Sequence, residues 1–78
     1  PCGLALCSDK KHIMMAHGHA GRIMKLDMDL ELLAATGGQG KGPNRYGEAH
    51  YLALDAQDNI YVADSLNWNV QKLVKAQK

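Results

Sequence analysis

Phenylalanine is absent from this 78-residue chain, and three tyrosines and one tryptophan are its only aromatics. A hydrophobic interior must therefore be built from Leu, Ile, Val, Met and Ala. An excess of charge of one sign is missing too: nine Lys and Arg stand against eight Asp and Glu, for a net charge of +1. That excludes the strong field with which nucleic-acid and anionic-membrane binders capture their partners, and Lys72, Lys75 and Lys78 read as a solvated tail. No apolar run approaches the ~20 residues of a membrane span, and the N-terminus carries no signal-peptide pattern. A start at Pro1 rather than Met suggests a processed or truncated polypeptide. The two cysteines, Cys2 and Cys7, do not suit a bridge to each other, because five residues of extended chain span roughly 16 Å against a limit of about 7 Å between Cα atoms. Thiols fit a reducing compartment only weakly, so localisation stays open. A chain this short buries only about 60% of its unfolded surface. Marginal stability is expected unless something covers its faces.

What the chain does have is a doubled unit. Leu4, Ala5 and Leu6 recur as Leu52, Ala53 and Leu54, an offset of 48, and after a one-residue slip Ile13, Ala16, Lys25 and Leu26 recur as Ile60, Ala63, Lys72 and Leu73. Met15 pairs likewise with Val62, and Ile23 with Val70. A period of this size with strand-like content predicts an all-β fold of antiparallel meander blades rather than a helical solenoid. Alternation, β-branched content and turn residues predict strands over 3–6, 12–16, 22–27 and 31–35 in the first copy, and over 51–54, 59–63 and 70–75 in the second. Leu26, Leu30 and Leu33 also fall at helical spacing. The turn-like residues 27–31, and the lack of such a stretch in the second copy, favour strands. The chain thus divides into a first blade at 3–35, a Gly-rich connection at 36–50 and a second, incomplete blade at 51–75 that lacks a fourth strand.

The segments GRIMKLDMD and HYLALDAQDNIYVADSLNWNVQKL, with the linker GGQGKGPNRYGEAH between them, resemble NHL repeats, the blades of six-bladed β-propellers. The second copy matches best. The first departs from the pattern, with His17 where Asp64 stands and Cys7 where Asp55 stands. Within that group the chain is most similar to the peptidyl-α-hydroxyglycine α-amidating lyase family. The resemblance implies a zinc-dependent enzyme in which a Pro-His pair precedes an inner strand and three such histidines from alternate blades hold a central metal. Here Ala49-His50 occupies that place, and the other copy has no histidine there. The family's catalytic Tyr falls where this chain has His19.

In an antiparallel meander, the start of strand one, the end of strand two, the start of strand three and the end of strand four share one edge. His17, His19, Arg45, His50, Asp64, Asn67 and Trp68 are therefore expected on one rim, where loops on a rigid scaffold collect binding groups. His50 is the candidate axial metal ligand, with a histidine bonded to backbone near the pore as the alternative. The His17-Gly18-His19 pair resembles a metal motif but lies in a turn. Asp64 is expected to cap the turn over 65–67. Trp68 could stack on a ligand and Arg45 pair with a carboxylate or phosphate; packing between blades and a solvated charge are the favoured alternatives. Asp55, Asp58 and Asn59 lack the spacing and distal Glu of a calcium loop, and the Gly37 to Gly42 run lacks the ending of a phosphate loop.

The leading expectation is a propeller segment acting as a binding module for a peptide, protein or small ligand. It needs either self-association, most simply a trimer completing six blades, or the other blades of a longer chain. The alternative is part of a zinc-dependent lyase with His50 as metal ligand. RNA binding is disfavoured by the near-zero net charge.

Overall fold

The computed structural model describes residues 3–74. These residues form seven strands and no helix: β1 (Gly3–Leu6), β2 (His12–His17), β3 (Arg22–Asp27), β4 (Leu32–Gly37), β5 (Ala49–Leu54), β6 (Ile60–Asp64) and β7 (Asn69–Leu73). They make two antiparallel meanders, a four-stranded sheet in the order β1-β2-β3-β4 and a three-stranded sheet in the order β5-β6-β7. The expected strands are present, with Lys75 lying outside the described residues. The helical spacing of Leu26, Leu30 and Leu33 is overridden: Asp27 Oδ1 accepts from the backbone N–H groups of Asp29 and Glu31, which closes a turn where a helix would have continued.

One turn design recurs at three hairpins. The N–H of Lys10, Leu30 and Asp58 donates to the carbonyl of Cys7, Asp27 and Asp55 respectively, at 2.9 to 3.0 Å. The donating residue is left-handed in each case, with φ of 60°, 66° and 63°. A tight turn followed by one left-handed residue matches the twist of the flanking strands. The acidic residues over 55–59 thus form a turn, as expected: Asp55 accepts from the N–H groups of Gln57 and Asn59, from the Asn59 amide and from the Tyr61 hydroxyl. Burial alone would raise the Asp55 pKa, but these donors outweigh it and hold the carboxyl below its usual value.

The sheets pack with β1 and β2 of the first against β5 of the second. The core between and beside them consists of Ala16, Ile23, Tyr46, Ala49, Leu52 and Val62. Burying side chains such as Ile23, Leu52 and Val62 is worth about 1.5 to 3 kcal/mol each. The approach is close because β1 begins with glycine, where a Cβ would stand 3.3 Å from the Tyr51 Cα and the Leu52 nitrogen. A second tie joins the turns, with the Ser8 N–H and hydroxyl both donating to the Asp58 carboxylate, at 2.9 and 2.6 Å.

Candidate functional site

The rim expected from strand parity is assembled around Asp64, at the end of β6. The residue is 2% exposed, and its carboxylate accepts five hydrogen bonds. The N–H groups of Leu66 and Asn67 donate to Oδ1 at 3.1 and 3.0 Å, and the Asn67 side chain donates to Oδ2 at 3.0 Å, which caps the following turn as expected. The other two come from the Gly-rich connection, from Gly47 N–H at 2.8 Å and Glu48 N–H at 3.1 Å. Burial would raise the Asp64 pKa, yet the backbone donors from Asn67, Glu48, Gly47 and Leu66 prevail and keep the group ionised below the ordinary aspartate range.

The Gly-rich connection is thereby an ordered structure. Tyr46 is fully buried, and its hydroxyl donates to Asn44 Oδ1 at 3.0 Å. Burial, and next the negative charge of Asp64, push the Tyr46 phenol above its usual pKa. From β7, Gln71 accepts from the Asn44 N–H at 2.8 Å and donates to the Arg45 carbonyl at 2.9 Å. Glu48 accepts from the Ser65 hydroxyl at 2.7 Å and stands 3.3 Å from His19 Nε2. The Gln39 side chain donates to the His19 carbonyl, and Gly18 accepts from the Ala49 N–H at 3.1 Å. The end of β2, the connection, the start of β5 and the β6–β7 turn thus share one edge.

Of the residues picked from the sequence, His19 and Asn67 join this network, through Glu48 and through Asp64 and the Gly40 carbonyl, the last at 2.7 Å. Arg45 is exposed, with its guanidinium donating to the Asn44 carbonyl at 3.0 Å. His17 is exposed at the end of β2, beside Arg22 on β3. His50 occupies a bulge in β5, between Ala49 paired with Asp64 and Tyr51 paired with Ala63, and is exposed. The bulge puts the inward Ala49 and the outward His50 and Tyr51 out of strict alternation. Trp68 does not pack between the two sheets of this chain: it is 91% exposed, and its backbone is left-handed at φ 57°. Gly21 holds the equivalent turn position of the first copy at φ 66°.

Among the described residues, no group of three His, Cys, Asp or Glu side chains is placed to hold a metal ion. The described donors of one chain do not by themselves make a zinc site. The Ser65 hydroxyl and the Glu48 carboxylate are in contact at 2.7 Å, with His19 Nε2 3.3 Å from the same carboxylate. The outward groups of the rim are an indole, a guanidinium and imidazoles over a backbone-locked floor. A separate crevice of about 440 Å³ between the sheets, lined by Met14, Lys25, Thr36, Ile60 and Leu73 among others, contains none of the sequence-picked candidates.

Glu48, Tyr46 and Gln71 were missed at the sequence level. Tyr46 left a signal, being the single large aromatic within the Gly-rich segment. Gln71 and Glu48 left none, since each acts through partners 16 to 29 positions away. Compared with protein-family models and with curated proteins, the chain matches none. The chain is, at the level its structure defines, an all-β protein of two antiparallel sheets.

Proposed function

We propose that the chain is a segment of an NHL-type propeller whose Asp64-organised rim is a binding surface for a peptide or small ligand. The observation that supports this most is Trp68. A large aromatic in the left-handed region costs about 1 to 2 kcal/mol relative to an unstrained backbone, and here no burial offsets that cost. A left-handed backbone also occurs at Lys10, Leu30 and Asp58; what sets Trp68 apart is an almost fully exposed indole beside an ordered loop, a flat surface suited to stacking. Arg45 adds a cation to the same loop, so the rim suits a ligand with a flat apolar group and a carboxylate or phosphate.

Trp68 is the sole tryptophan, which makes intrinsic fluorescence a direct probe. Short peptides carrying an aromatic side chain and a free C-terminal carboxylate are expected to shift its emission to the blue in a saturable way. Trp68→Ala should abolish binding measured by calorimetry, and Arg45→Ala should weaken it about tenfold, the loss of one charge-assisted contact. Emission unchanged across the peptides, or binding indifferent to both substitutions, rejects the rim as a binding surface. The zinc-dependent lyase alternative requires three converging histidines. Metal analysis after dialysis, with His50→Ala as control, separates it from the binding module.

A further inference from the structure

The two sheets are copies of one another, and they meet by opposite faces. The first sheet turns Ala5, Met14, Ala16 and Ile23 toward the second, as strand pairing and the shared core require. The second answers with Leu52, Ile60, Val62 and Leu73. Each of these faces has a counterpart in the other copy that faces away. Leu52 is 2% exposed and its counterpart Leu4 is 62% exposed; Ile23 is 1% exposed and its counterpart Val70 is 67% exposed. Tyr51, the counterpart of Gly3, is exposed as well. The chain therefore presents, on its two outer sides, one example of each face that its own interior shows to be complementary.

We propose that a second copy of the chain seats on these faces, with the Tyr51 and Val70 side of one copy against the Leu4 and Met15 side of the next, repeating the packing found within one chain. The contact is heterologous, since different patches meet, so every added copy leaves one face of each kind until a ring closes. Lys72 does not forbid it. Its counterpart Lys25 already lies between the two sheets, lining the crevice there, and the Lys72 ammonium stands 5.4 Å from the Tyr61 ring centre, so its stem can lie along apolar surface with the charge at the edge.

Sedimentation velocity on the intact chain tests this. The wild-type chain is expected to sediment above its 8.5 kDa monomer mass and to dissociate on dilution. Leu4→Glu and Val70→Glu, each blocking one face, should both be monomers. Mixed in equal amounts they should form a dimer of twice the monomer mass, because each retains the face that the other has lost. A monomeric wild type overturns the proposal, and so does a mixture that stays monomeric while the wild type assembles, or a single variant that still dimerises by itself, the result for like faces meeting. Should either variant lose its strand circular dichroism, oxidation of mixed Leu4→Cys and Tyr51→Cys chains replaces it, because their counterparts within one chain, Leu52 and Gly3, approach closely. A disulfide joining positions 4 and 51, located by peptide mass mapping, supports the head-to-tail contact, and its absence overturns it. The inference shares only the repeat fold with the rim proposal: Trp68→Ala should abolish peptide binding and leave assembly intact.

Discussion

The two copies are alike in strand order and register but unlike at the edge where the rim forms. In the second copy, β6 ends in Asp64, whose carboxylate gathers its own turn and the start of β5 into one unit. In the first, β2 ends in exposed His17, which makes no side-chain hydrogen bond of this kind among the described residues. The next turn shows the same inequality, with Gly21 placed without strain and Trp68 forced into the same conformation. A repeat supplies a scaffold twice, and divergence at equivalent positions shows where one copy carries an added task. Here the added tasks are organisation of the rim by Asp64 and display of an indole by Trp68.

The largest test of this contrast is removal of the carboxylate. Asp64→Ala leaves four backbone N–H groups without their acceptor, and at about 1 to 3 kcal/mol for a buried unsatisfied group the loss should reach at least roughly 3 kcal/mol. In a chain this small that is enough to unfold much of the population, whereas His17→Ala should stay within about 0.5 kcal/mol. Urea denaturation followed by circular dichroism reads both, and equal effects would erase the distinction between the copies.

The glycine and tryptophan turns offer a second, smaller test. A Cβ on Gly21 would stand 2.6 Å from the Gly38 carbonyl oxygen, so Gly21→Ala adds a backbone clash to left-handed strain and should cost about 2 to 3 kcal/mol. Trp68→Gly removes strain and buries nothing less. Against the extra freedom of glycine in the unfolded chain, it should raise stability by up to about 1 kcal/mol. Thermal unfolding of the two variants should therefore move in opposite directions.

Acid should reveal the smallest difference. Asp64, Asp55 and Asp9 all have folded-state pKa values below their usual ones. Asp9 owes its shift first to the Lys11 N–H and then to its bond with His12. For a depressed carboxyl, the stabilisation is complete above the unfolded-state value of about 3.9 and disappears as pH falls through the folded value. Stability should hold from neutrality to about pH 4 and decline below it. Asp64→Asn should flatten that decline, and a wild-type decline unchanged in the variant would deny Asp64 its part in it.

Much of the fold was legible in the sequence. Alternation and turn residues located the strands, because side-chain period and turn chemistry are local properties. The repeat of Leu4 to Leu6 at Leu52 to Leu54 pointed to two equivalent sheets. The rim was legible only in outline. Parity placed His19, Asn67 and the Gly-rich connection on one edge, but it carried no information about Glu48 or Gln71. Nor did it say whether Trp68 meets a partner within the chain, since a residue type describes what a side chain can bury and not whether a partner lies opposite.

By itself, then, the sequence determined the two meanders, their turns and the inequality of the copies, all of which follow from interactions between residues near one another in the chain or repeated at a fixed period. Only the tertiary structure decided that Asp64 locks the distant Gly47 and Glu48, that Tyr46 anchors a loop rich in glycine, and which face of each sheet stays open. Those outcomes depend on where two sheets come to rest against each other, and burial in that contact selects among side chains that local pattern leaves equivalent.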